Sequence, residues 1–151
     1  MRIIEEATEL LARAVFQRKG GEEQEALRSV VQSCERLFGL EAGPLFRFTP
    51  DQHFLMLTAD EEAGNAQAKV LIYAALNLEA ARNYAALKKP DLARVSCLNA
   101  LRLTLRARLA FPAEAPPPHA PQVAELLAWL KDEPLDHETA ELLRAFEAMP
   151  A

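Results

Sequence analysis

The sequence predicts an all-α protein, and three observations carry that reading. Apolar residues recur at three- and four-residue steps along most of the chain. Glycine and proline fall between those runs, as at Gly20-Gly21, Gly39, Pro50, Pro90 and Pro112. Small residues form rows at helical spacing in the segments on either side of Pro90. With 151 residues, half of them hydrophobic, the chain is expected to form a single domain with one substantial core.

Ile3, Ile4, Ala7, Leu10, Leu11, Ala14 and Val15 define the stripe of a first helix that ends at Gly20-Gly21. A second stripe, from Ala26 through Val30, Cys34 and Leu37, runs to Gly39, so residues 1–38 read as an antiparallel hairpin. Residues 39–63 form a connector, in which Leu45, Phe46 and Phe48 are expected to tuck against the core. Thr49, Pro50 and Gln52 mark the start of a short helix: a capping hydroxyl, proline in the first turn and a glutamine three residues on.

Residues 64–111 read as a central hairpin. Its first helix is apolar on nearly every side, through Val70, Leu71, Ile72, Tyr73, Leu76 and Leu78, and an all-round apolar helix is a central one. Pro90 ends that pattern and Asp91 opens the next, where Ala93, Cys97, Ala100, Thr104 and Ala107 form one small row facing Ala74, Ala81 and Ala85. Arg94 and Arg108 fall between leucines and must extend along apolar surface to reach water or a carboxylate. Residues 112–121 belong to a stiff connector whose stretch from Phe111 holds five prolines. In 122–149, Val123, Leu126, Leu127 and Leu130 mark one short helix, and Asp136 caps another. Two such short helices bury too little alone and are expected to fold back on the bundle.

The central hairpin resembles the tetratricopeptide repeat. Ala81, Tyr84, Ala93, Ala100 and Leu101 match its small and aromatic positions, while Lys88 stands where glycine is usual, Cys97 where a larger aromatic is usual, and Leu105 in place of the terminal proline. The first hairpin matches less fully, with Ala14, Gly21 and Ala26 in corresponding places but Gln17 and Ser33 departing. The chain also resembles bacterial helical proteins of unassigned function that pair such a hairpin with an N-terminal helix pair. The resemblance implies a TPR-like right-handed bundle of antiparallel hairpins and a non-catalytic scaffold or interaction protein. It places partner contacts at Leu78, Glu79 and Arg82, with Ala75, Ala85 and Ala86, in a groove lined by first helices. The family's clamp for a terminal carboxylate is missing, since Leu78 occupies one of its polar places.

Asn99, Arg102 and Arg106 form a polar stripe opposite the small row, either a solvated face or a docking site for an acidic partner. The partner is unidentified; pairing with a second copy is the further possibility, because the long central helix has few charges. An excess of acidic over basic residues, 22 against 17, argues against a broad nucleic-acid surface. No apolar run reaches membrane-spanning length, and charges interrupt the N-terminal stripe as they would not in a secretory signal, so a cytoplasmic location is expected.

No catalytic motif occurs, and a metal-ligand spacing arises at the histidines only if Asp136 or Glu133 serves, so no catalytic residue, metal or cofactor is assigned. Cys34 and Cys97 lie inside helical stripes without a CxxC partner and read as small buried residues. His53, His119 and His137 are expected at the surface. The alternative function is a small-ligand or enzymatic protein with a pocket between the His53 helix and the central hairpin.

Overall fold

The computed structural model describes residues 2–150, and among them only helices and their connections occur. The helices are α1 (Arg2–Lys19), α2 (Glu23–Phe38), α3 (Ala42–Leu45), α4 (Pro50–Thr58), α5 (Ala63–Ala86), α6 (Pro90–Ala110), α7 (Val123–Trp129) and α8 (His137–Glu147). The all-α expectation is met. α5 begins one residue before the expected start of the central hairpin, and Pro90 is the first residue of α6, where its missing N–H costs no helical hydrogen bond.

α5 is the axis of the fold. It packs most extensively along α6 and also contacts α1, α2 and α4, while α7 and α8 lie against α6. Val70, Leu71, Ile72, Tyr73, Ala74, Leu76 and Leu78 are all buried by this one chain, so the apolar circumference of α5 needs no second copy to cover it. Ala74 and Ala81 on α5, with Ala93, Cys97, Ala100 and Ala107 on α6, are buried as well, and their small side chains allow the close approach of the two axes.

The two long hairpins turn in the same way. After α1, Glu22 N–H donates to Gln17 O and Gly21 N–H to Arg18 O; after α5, Lys89 N–H donates to Tyr84 O and Lys88 N–H to Ala85 O. Both are Schellman closures around a left-handed residue, Gly21 at φ 81° and Lys88 at φ 61°. Lys88 therefore takes, with a side chain, the conformation that glycine adopts without steric cost. Ala14 and Ala26 are buried like their counterparts Ala81 and Ala93, and buried Ser33, opposite Ala100 in this correspondence, donates to Ala7 O at 2.9 Å.

The connector departs from expectation. Leu45 is fully buried at the end of the one-turn α3, but Phe46 and Phe48 are 49% and 42% exposed and flank an opening. α4 starts as its residues require. Thr49 Oγ1 accepts from Gln52 N–H and Gln52 Oε1 accepts from Thr49 N–H, a complete capping box. At α8, Asp136 accepts from both the N–H and the hydroxyl of Thr139.

Candidate functional site

The face of α5 expected to bind a partner is in use within the chain. Leu78 is buried in a cluster with Leu101, Leu105, Leu126 and Leu130, and Ala75 is buried too. Glu79 is 1% exposed and accepts from Arg18 Nε at 2.5 Å and from Asn83 Nδ2 at 3.0 Å. Arg82 bonds Glu125 at the start of α7. Ala85 and Ala86 are exposed, and Ala85 borders a shallow hollow beside Trp129. On α6, Arg102 reaches both Asp51 and Glu138, and Arg106 donates to Asp51 at 2.7 Å while lying 4.4 Å over the Phe54 ring. Arg102 and Arg106 thus tie α6 to α4 and α8 rather than lining a free stripe. Arg94 likewise pairs with Glu133.

An open cleft lies instead on the other side of α5. Its floor is the α5 stripe Tyr73, Leu76, Asn77, Ala80 and Tyr84; one wall is α2 at Leu27, Val30, Val31 and Cys34, and the other is α6 at Ser96 and Asn99. Phe46, Phe48, Pro50 and His53 close one end, and the enclosed volume is about 280 Å³. Of the expected partner-binding residues, only Asn99 lines it. Tyr73 to Tyr84 spans three helical turns, roughly 16 Å at 1.5 Å per residue.

The closed end is ordered by a directional hydrogen-bond chain. Leu45 O can only accept, so His53 Nε2, 2.8 Å away, carries the proton and donates to it. His53 Nδ1 is then an acceptor, and the Tyr73 hydroxyl donates to it at 3.0 Å. Asn77 Nδ2 donates to Tyr73 O at 2.9 Å, which leaves its Oδ1 as an acceptor. Phe38 meets Tyr73 and His53 edge to face, at ring-centroid separations of 4.9 and 5.2 Å.

His53 is therefore a buried histidine, 4% exposed, and not the surface residue expected from its position on a short helix. The pattern of α4 concealed this because it registers a half-turn of apolar character but not the depth at which the helix seats. His119 is also partly buried, and its Nε2 has no hydrogen-bond partner among the described residues. Burial holds both imidazoles below the ordinary histidine range, with the bond to Leu45 O opposing the shift at His53.

A pH dependence of stability follows. The unfolded chain binds a proton at each histidine near the ordinary pKa of about 6.5, whereas the folded chain does so only at lower pH. Stability should be unaffected by these groups above that value and fall as pH drops below it, by at most about 1.4 kcal/mol per pH unit per histidine. Thermal melts between pH 7 and pH 5 should show this decline, and His53→Gln should flatten it; a slope unchanged in the variant would remove His53 from the account.

Burial disfavours the thiolate form of both cysteines. Burial, assisted by Glu35, pushes Cys34 up to about 12, and burial, assisted by Glu125, pushes Cys97 up to about 11. Among the described residues no group of three or more His, Cys, Asp or Glu side chains is arranged to hold a metal ion, and no helix is long and apolar enough to cross a membrane. Comparison with protein-family models, with curated proteins and with solved structures finds no match to this chain.

Proposed function

We propose that the chain is a non-catalytic, repeat-like protein that binds a segment of a partner protein in the α2–α5–α6 cleft. One observation carries this reading. The cleft is half open, about 280 Å³, and is lined by apolar side chains together with uncharged hydrogen-bonding groups, with no Asp, Glu, Lys or Arg among its residues. Such a lining suits an uncharged, mainly apolar segment and offers no counter-charge to an ionic one. The exposed Phe46 and Phe48 continue the apolar surface beyond the cleft. The matching turns at Gly21 and Lys88 support descent of the two hairpins from one repeat-like pattern. Two free, buried cysteines suit a reducing compartment such as the cytoplasm.

A second reading, a small uncharged molecule in the same cleft, is favoured by the buried His53–Tyr73 pair at its closed end. Amide chemical-shift mapping separates the two. Uncharged capped hexapeptides with one central apolar residue should perturb α2, α5 and α6 around the cleft, and Ala80→Leu on its floor should weaken that binding roughly tenfold. Perturbation confined to other surfaces would overturn the cleft assignment. Binding by small uncharged fragments but by no peptide would favour the second reading, and a second copy of the chain as occupant would appear as concentration-dependent shifts without any peptide.

A further inference from the structure

We infer that the closed end of the cleft receives an aromatic hydrogen-bond donor from the partner, the indole of a tryptophan. This rests on the cleft being the binding surface. Leu45 O commits His53 Nε2–H, His53 Nδ1 commits the Tyr73 hydroxyl proton, and so the Tyr73 oxygen has only lone pairs left to offer. Asn77 donates one N–H to Tyr73 O and its side chain also hydrogen-bonds the Tyr73 phenol, so it adds an acceptor through Oδ1. The closed end therefore asks its ligand for a donor.

The surrounding chemistry narrows the choice. No charged side chain lines the cleft, so an ammonium or guanidinium would lose hydration without gaining a counter-ion. Phe46 and Phe48 line this end, and Phe38, His53 and Tyr73 are packed edge to face beside it. These surfaces favour an aromatic body. A volume of about 280 Å³ lies below the range usual for whole drug-sized ligands and suits one large side chain with a little adjoining backbone. Indole has one N–H donor, no acceptor and a large apolar face, and tryptophan is enriched among residues that anchor protein interfaces.

The test uses the full chain and three capped, uncharged hexapeptides identical except at one position, which holds tryptophan, 1-methyltryptophan or leucine. Methylation removes the donor and keeps the ring. Isothermal titration and amide mapping should show the tryptophan peptide binding roughly tenfold tighter than the 1-methyl form, with shifts at Tyr73 and Asn77. Tyr73→Phe should shrink that difference; near-native circular dichroism and thermal stability check its fold. Equal affinity for the tryptophan and 1-methyltryptophan peptides, which needs no variant to measure, would overturn the inference, as would a preference that survives undiminished in Tyr73→Phe. If the leucine and methylated peptides occupy the cleft as well as the tryptophan peptide does, only this inference fails. If no peptide perturbs the cleft, the binding assignment beneath it fails too.

Discussion

Replacing Arg18 by Met is expected to destabilise the protein by about 3 kcal/mol, because it removes the closest counter-charge of a buried carboxylate. Glu79 is 1% exposed and sits in the second half of α5, where the surrounding apolar packing gives its charge little access to water. Arg18 Nε lies 2.5 Å from Glu79 Oε2, whereas the next cation, Arg82 Nη1, is 3.8 Å from Oε1 and also bonded to Glu125. Asn83 stabilises the same carboxylate with a bond to Oε2, and Oε1 has no hydrogen-bond partner among the described residues. Arg82 is thus placed to compensate only in part. Glu79→Leu should cost less than Arg18→Met, since Arg18 is partly exposed and its guanidinium can turn to water. The double variant should recover much of the loss, because an apolar pair of similar size removes both the ion pair and its desolvation cost. Urea unfolding of the four proteins forms a double-mutant cycle. A loss under about 1 kcal/mol for Arg18→Met would mean that Glu79 is sustained by its other partners.

Leu126→Ala is the second large effect, about 2–5 kcal/mol from lost burial and the cavity left behind. Leu126 is fully buried in the cluster that also holds Leu78, Cys97, Leu101 and Leu105, and its carbonyl lies 3.8 Å from Cys97 Sγ. α7 is seven residues long, too short to persist without that contact. A loss near 3 kcal/mol should lower Tm by roughly 10 °C in a chain of this size. Hydrogen exchange should accelerate first in α7 and α8 while α1, α2, α5 and α6 stay protected, because Arg82–Glu125, Arg94–Glu133 and Arg102–Glu138 are partly exposed pairs that hold little on their own. Uniform acceleration across all helices would show that the C-terminal pair belongs to one cooperative unit with the bundle.

Much of the fold was legible because its signals are local. The Thr49–Gln52 capping box, the Asp136 cap and the turn at Gly21 are set by residues within a few positions of one another. The stripes of α1 and α2 and the all-round apolar α5 likewise follow from helical spacing, which the chain carries in itself. Lys88 shows the same logic in a less obvious form, since the turn after α5 demands a left-handed residue and obtains it from a lysine.

The site was less legible because its parts meet across long separations. Asn99 lies on a polar stripe of α6, yet most of its neighbours in the cleft come from α2, α5 and the connector. Arg102 and Arg106 are paired with an aspartate 51 and 55 residues away, and no spacing rule connects them. His53 reads as one polar residue on a short helix until Leu45 and Tyr73 enclose it. The sequence by itself determined which segments are helical and which faces are apolar, since backbone hydrogen bonding and side-chain periodicity act over three to five residues. Only the tertiary structure decided which of those faces α7 covers and which stays open, because that choice depends on the close packing of surfaces distant in the chain.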